Sequence, residues 1–190
     1  MKELAKFLFE AGMLKRTPRS GLQFLGSGNE SVAEHICRAV YIGYVLAKQT
    51  PGVDEEKLLK MCLFHDLVES RTGDLNYVNK KYVHADEERA MADICRPLEF
   101  GGEMAALFRE FNERETLEAK LANDADQLEL LLLLRECQDL GNKYSADWIP
   151  ICIKRLQTDA GRRLGEAIMA TDWSAWWFEA DDESWWVNGR

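Results

Sequence analysis

An all-α bundle is the fold class predicted for this chain, on three observations. Apolar residues recur at helical spacing along most of its 190 residues. Alternating segments rich in valine, isoleucine and threonine are nearly absent. The gaps between apolar runs hold the residues that start and stop helices.

Taken in order, Leu4, Phe7, Leu8 and Leu14 form one face of a first amphipathic helix, which stops at Thr17-Pro18. A loop with Gly21, Gly26, Ser27 and Gly28 follows. Ser31-Val32-Ala33-Glu34 has the form of a capping box, so a second helix starts at Ser31 and carries His35 in its first or second turn. Pro51-Gly52 breaks it. Asp54 is an N-cap for a third helix running through Leu58, Cys62 and Leu63 to about Glu69. Thr72-Gly73-Asp74 turns into a polar loop reaching about His84, which is expected at the surface or at a helix entry. A helix through Met91, Ile94 and Cys95 ends near Arg96-Pro97, and a shorter one spans Met104 to Phe111. Glu115 to Leu140 is long enough for one major helix bearing Asp124 and Asp126, closed by Gly141. A last helix is expected from Trp148 to Met169.

The length suits one domain with an adequate core, over residues 1–170, followed by a tail at 171–190. That tail holds Trp173, Trp176, Trp177, Trp185 and Trp186, expected to pack on the domain or on a partner subunit. A net charge of -9 argues against a non-specific nucleic-acid binder, whose partner demands basic surface. It leaves room for a small phosphorylated substrate, because a bound cation and a few arginines reverse the local field. The five cysteines form no C-x-x-C pair and sit in apolar runs, which suits buried free thiols in a reducing cytoplasm. Met1 to Leu14 carries charges in an amphipathic pattern rather than a signal peptide, and the apolar run Leu128 to Leu134 is too short to cross a bilayer.

His65-Asp66, inside an apolar helical stretch, carries the chemistry. An imidazole and a carboxylate supply two ligands for one divalent ion. Adjacent side chains on a helix diverge by roughly 100°, so an ion they share sits over the groove between them. His35, one of only three histidines, and an acid from Asn123-Asp124-Ala125-Asp126 would complete the set from neighbouring helices. Two nitrogens and two carboxylates suit Mn, Co, Mg, Fe or Zn, and the lack of a thiolate points away from structural zinc.

A histidine, then His-Asp, then a distant aspartate, all on helices, resembles the HD-domain metal-dependent phosphohydrolases. Three blocks narrow the resemblance to the group of HD-domain-containing protein 2 and the YfbR-type 5′-deoxynucleotidases. The first is Leu14-Lys15-Arg16-Thr17-Pro18-Arg19-Ser20-Gly21 with Glu30-Ser31-Val32-Ala33-Glu34-His35. The second is His65-Asp66-Leu67-Val68-Glu69-Ser70-Arg71-Thr72-Gly73-Asp74, the pattern H-D-x-x-E-x-x-x-G-D. The third is Glu118-Ala119-Lys120 with Ala125-Asp126-Gln127-Leu128. The group's x-D-[KRQ]-L pattern selects Asp126 over Asp124, and periodicity agrees, since Asp126 continues a Leu130 and Leu133 stripe read as facing the core.

The resemblance implies an HD-domain helical bundle binding one divalent ion through His35, His65, Asp66 and Asp126. It implies release of phosphate from (deoxy)nucleoside 5′-monophosphates by a metal-activated water, and a homodimer. Glu69 would be the catalytic carboxylate. Its spacing fits, being four residues after His65 and three after Asp66 on a continuing helix. Asp74 would orient or bind the sugar-phosphate end, and Arg16 would contact phosphate or sugar. Gly73 permits the tight turn that aims Asp74 at the site. Relatives place tryptophans at the positions of Thr17 or Leu22, so an open base pocket with weak base discrimination is expected, unless the tail supplies the aromatic surface. The competing readings are an HD hydrolase for a nucleoside triphosphate or alarmone, and a regulatory HD protein that binds metal or nucleotide without turnover. Retention of Glu69 and Asp74 counts against the second.

Overall fold

A computed structural model describes residues 1–178 and 184–189. Among these the chain is helical, and the only strand-like feature is an isolated antiparallel bridge between Pro18 and Ser31. The elements are α1 (Lys2–Ala11), α2 (Val32–Lys48), α3 (Glu55–Phe64), α4 (Glu69–Thr72), α5 (Glu87–Cys95), α6 (Gly101–Glu113), α7 (Leu117–Asp139), α8 (Ser145–Arg155), α9 (Asp159–Ala170), α10 (Ala175–Phe178) and α11 (Ser184–Asn188). The first helix is shorter than its apolar pattern, because Gly12–Lys15 tightens into a 3-10 turn. A second 3-10 turn, Ser20–Phe24, occupies the expected loop. No helix among the described residues is long and apolar enough to cross a membrane.

Helix α7 is the central element, packed against α2, α3, α6, α8 and α9. Its first half is buried nearly all round, from Ala119 through Ala125, as expected of a helix surrounded by others. Leu121, Leu128, Leu131 and Leu134 have no measurable exposure and meet Leu46 of α2 and Leu58 of α3. Each such leucine contributes roughly 1.5–3 kcal/mol of burial. A second cluster, built on Val32, Ile36, Met91, Ile94, Met104 and Phe108, closes the other end. Gly43 lets α2 and α3 meet closely, since a Cβ there would lie 2.8 Å from Cys62 Sγ. That close approach sets α2 beside the end of α3.

Two helix boundaries differ from the sequence reading. Helix α3 ends at Phe64, and tighter i to i+3 bonds (Leu67 N to Phe64 O, Glu69 N to Asp66 O) carry the chain into α4. Glu69 therefore follows Asp66 through a tightened turn rather than a continuing α-helix. The helix expected from Trp148 to Met169 is two helices, broken at residues 156–158. The cause is Asp124, fully buried, whose carboxylate accepts from Gln157 N (2.7 Å), Thr158 N (2.9 Å) and Thr158 Oγ1 (2.6 Å). Thr158 in turn caps α9.

Four cysteines are buried free thiols, while Cys37 is exposed. His84 is exposed. In the tail, the ring of Trp177 lies 6.3 Å from Trp173 and 6.0 Å from Trp186. The rest of the tail reading falls on residues 179–183, 190 and the side chain of Trp185, outside the described residues.

Because three donors converge on one buried carboxylate, Asp124→Ala is expected to lower unfolding free energy by about 3 kcal/mol, measured by urea denaturation.

Candidate metal centre

The capping box at Ser31 starts α2 and places His35 one turn in. Ser31 Oγ accepts from Glu34 N, and Glu34 Oε2 accepts from Ser31 N at 2.7 Å. His35 is fully buried against α7. His65 closes the end of α3, with Asp66 the next residue. Asp126 projects from α7. His35 Nε2 lies 3.2 Å from His65 Nε2, 3.4 Å from Asp66 Oδ2 and 3.3 Å from Asp126 Oδ1, and His65 Nε2 lies 3.3 Å from Asp66 Oδ2. Ligand atoms of His35, His65 and Asp126 lie within 4.8 Å of one another, and Asp66 joins them through its contacts with both histidines.

The other face of each imidazole fixes its tautomer. His65 Nδ1 donates to the carbonyl of Cys62 at 2.8 Å, and His35 Nδ1 donates to Glu129 Oε2 at 2.6 Å. His65 Nε2 thus faces His35 Nε2. Without an ion, and against burial and Arg19, the hydrogen bonds to Asp126 and Glu129 hold His35 up to about 10, so that its Nε2 carries a second proton where a cation would sit. Donors held about 2.1 Å from one ion are separated by about 3.0 Å in an octahedron and about 3.4 Å in a tetrahedron. The 3.2–3.4 Å spacings fall within that range, so the donor set fits a divalent ion.

Glu129 and Arg38 were not assigned from sequence. Arg38 donates through Nε (2.9 Å) and Nη2 (2.6 Å) to Glu129 Oε1, and through Nη1 to Glu136. Both were visible as anomalies: Glu129 is an acid inside a leucine run three residues after Asp126, and Arg38 lies three residues after His35. The ligand atoms of Glu30, His35 and Glu129 also lie within 4.8 Å of one another, but the His35 nitrogen involved is already donating to Glu129.

Charge sorts the carboxylates. Burial works to raise Asp66, but His65, His35 and Arg19 hold it far below the usual carboxylate range. Asp126, against the same cost of burial, is held down to about 2 by the hydrogen bond to His35. Glu69 goes the other way. Burial, then repulsion from Asp66 and Asp74, pushes it up to about 9. Its Oε2 is buried without a hydrogen-bond partner.

A cavity of about 630 Å³ opens onto the ligands. Glu69, Asp74 and Arg19 line it near Asp66 and Asp126. Arg19, rather than Arg16, faces this space. The backbone pairs Arg19 N with Glu30 O and Val32 N with Thr17 O, which lays the loop along the start of α2. Arg19 Nη1 then lies 3.4 Å from Asp66 Oδ2, and the surrounding acids keep it charged despite burial. Arg16 is exposed, outside the cavity lining, with only a 3.9 Å contact to Met13 Sδ. Asp74 follows Gly73, whose φ of 71° and ψ of 159° suit glycine alone, and Asp74 Oδ2 accepts from Ser20 N at 2.7 Å. The stripe of Asp126, Leu130 and Leu133 faces the cavity, and the fully buried face of α7 is Leu128, Leu131 and Leu134. Of the two positions expected to shape the base pocket, Leu22 lines the cavity and Thr17 does not, while Trp148, Tyr77 and Phe24 provide aromatic surface.

A family model described as HD domain matches residues 11–167. The chain belongs to the HD-domain family. It is 31% identical over 146 residues to 5′-deoxynucleotidase HDDC2 of Mus musculus, covering 74% of this chain and 72% of that protein. It is 32% identical over 143 residues to 5′-deoxynucleotidase hdd1 of Schizosaccharomyces pombe, covering 70% and 71%. Among solved structures, a predicted metal-dependent phosphohydrolase of Magnetospirillum magnetotacticum superposes with a TM-score of 0.69 at 28% identity, covering 89% of each chain. A conserved hypothetical protein of Pyrococcus furiosus gives 0.73 at 30% identity, covering 88% of this chain and 99% of that one. The protein is an HD-family phosphohydrolase resembling 5′-deoxynucleotidases.

Asp126→Ala is expected to abolish tight binding of Mn²⁺ in a chelator-competition titration, and Glu129→Gln to weaken it about 10–100-fold, whereas folded Asp124→Ala binds as wild type does. The sign of a pH effect also follows. In protein stripped of metal by EDTA, Glu69 keeps its proton to about pH 9 when folded but loses it near 4.5 when unfolded. Over that window the folded state holds the extra proton, so stability falls as pH rises. Glu69→Gln removes the loss, and its stability advantage over wild type in EDTA should grow from about pH 4.5 to about 9.

Proposed function

We propose that this protein is a metal-dependent 5′-nucleotidase that removes phosphate from (deoxy)nucleoside 5′-monophosphates. The observation carrying this reading is one cavity that joins a cluster of histidines and aspartates able to hold a metal ion, the Arg19 guanidinium and the unpartnered Glu69 Oε2 to an aromatic wall. A volume of about 630 Å³ is suited to a nucleoside monophosphate and lies within the ordinary range for small-ligand sites. The deoxynucleotidase relatives support the same substrate class.

In this reading His35, His65, Asp66 and Asp126 hold one divalent ion, whose identity among Mn, Co, Mg, Fe and Zn is left to experiment. Bound there, the ion supplies a water of lowered pKa and positive charge beside the phosphoryl oxygens. Arg19 offsets charge on those oxygens as they leave for inorganic phosphate. Glu69 is the proton carrier. Its Oε2 makes no hydrogen bond among the described residues, and ionised beside a bound cation Glu69 would take a proton from the attacking water and pass it to the leaving 5′-oxygen. Asp74 holds the Ser20 amide and through it the Arg19 loop, and it borders the sugar-phosphate end of the substrate.

A homodimer is part of the proposal, supported by Tyr41, Tyr44 and Val45 exposed on the outward side of α2. A cytoplasmic setting is supported by the free thiols. A triphosphate or alarmone substrate, or binding without turnover, are the alternatives that the assay separates.

The assay is phosphate release from ribo- and deoxyribonucleoside monophosphates with each of several divalent ions. Monophosphates should turn over, and inactivity on all of them with hydrolysis of a triphosphate, or with none, transfers the assignment to an alternative. Glu69→Gln should keep its ion and lose about 10²- to 10⁴-fold in kcat. Arg19→Ala should lose far more in kcat/KM than Arg16→Ala, and equal effects would remove Arg19 from the phosphate.

A further inference from the structure

The end of the cavity away from the ligands has its own chemistry. Trp148, Ile151, Cys152 and Arg155 stand at i, i+3, i+4 and i+7 on α8 and all line the cavity, opposite Gln127 and Leu130 of α7. Such a stripe is ordinarily apolar throughout, and here it ends in a guanidinium. The Arg155 guanidinium carbon sits 4.7 Å from the centre of the Tyr77 ring, and Nη1 donates to Gln127 Oε1 at 3.2 Å. Gln127 Nε2 is taken by Asp126 Oδ2 at 2.8 Å, so both ends of that amide are committed. Among the described residues Arg155 pairs with no carboxylate. Half-buried at the cavity wall, it therefore keeps Nη2 and Nε as donors open to a ligand. The six-membered ring of Trp148 reaches toward Gly21 of the Arg19 loop, 3.8 Å from where a Cβ would stand, and so spans from the base wall toward the phosphate side.

Resting on the nucleotide reading above, we propose that Arg155, braced by Tyr77 and Gln127 beside Trp148, forms a base-reading subsite that selects 6-oxopurine nucleotides. Stacking on an aromatic ring is tolerant of base identity, so Trp148 and Tyr77 give affinity without choice. The choice comes from a group that only donates. Guanine and hypoxanthine present two acceptors, O6 and N7, on one edge, the match for a guanidinium fork. Thymine and uracil present O4 alone. Adenine and cytosine turn an amino donor toward it, leaving donors on both sides unmet. Such discrimination is the opposite of the permissive pocket expected from Thr17 and Leu22, and base binding decides between them.

The test separates base reading from turnover. Calorimetric titration of EDTA-treated protein with deoxynucleosides, which carry no phosphate, should show deoxyguanosine and deoxyinosine binding roughly ten-fold or more tightly than deoxyadenosine and deoxycytidine. Arg155→Met should erase that order. If Arg155→Met does not fold, Arg155→Lys carries the test, since it keeps the charge and loses the fork. Equal binding of all four, no binding of any, or an order that survives both variants overturns the subsite. So does deoxyadenosine 3′,5′-bisphosphate binding more tightly than the 5′-monophosphate by a margin that Arg155→Met removes, which would give Arg155 to a second phosphate. Any of these leaves the nucleotidase reading intact so long as some monophosphate is hydrolysed, and failure to hydrolyse any leaves the nucleoside binding order to be read independently.

Discussion

The buried hydrogen bond from His35 Nδ1 to Glu129, 2.6 Å long, constrains the metal centre more than any other contact. It holds one ring proton on the side facing Glu129 and directs Nε2 toward His65 and Asp126, where a bound cation would replace the second proton that the ring keeps without one. It works only because Glu129 is ionised with no exposure to water, and Arg38 makes that affordable by donating twice to its other oxygen. The chain Arg38, Glu129, His35 thus links an outer cation to an inner cation site through alternating charges, and no member is satisfied without the next. The Cys62 carbonyl gives His65 the matching constraint from α3, and the glycine contact between α2 and α3 lets the two rings meet edge-on, with centroids 5.3 Å apart.

Around that centre the fold concentrates negative charge where burial alone would forbid it. Asp66 and Asp126 remain ionised because histidines and Arg19 surround them, while at Glu69, a short turn away, burial and the repulsion of Asp66 and Asp74 outweigh Arg19 and His35, so it retains its proton without an ion. Three carboxyls of the same chemistry are thereby divided into two that are ionised and one that keeps its proton, the division that the proposed ligand and proton-carrier roles require. The division depends on positions of a few ångströms set by the tightened turn after α3. Carboxyls with pKa values pushed apart by their surroundings are the usual basis for distinct acid-base roles in one site.

Helix α7 shows how two aspartates two residues apart serve different ends. Asp126 turns to the cavity and the ligands, and Asp124 turns to the opposite side, where it breaks α8 from α9 by capturing two amides and a hydroxyl. The break ends α8 at Arg155 and so fixes the far wall of the cavity. The two ends of the cavity are therefore positioned by the same helix through opposite faces.

The sequence by itself determined the helical class, the main caps and the set of residues able to share an ion. Those are local matters of period, capping chemistry and ligand type, legible in Ser31-Val32-Ala33-Glu34 or His65-Asp66 without knowledge of what lies across the core. It also permitted the choice of Asp126, although the stripe used to support it faces a cavity rather than the core, because periodicity reports a shared face and not what that face meets. Tertiary structure alone decided that Arg19 and not Arg16 borders the ligands, since the bridge between residues 17–19 and 30–32 sets the twist of that loop. It alone paired Arg38 of α2 with Glu129 of α7, 91 positions apart, behind His35, and set Trp148 and Arg155 on the cavity wall. Their roles arise from burial and pairing between helices, and neither quantity is carried by spacing along one chain.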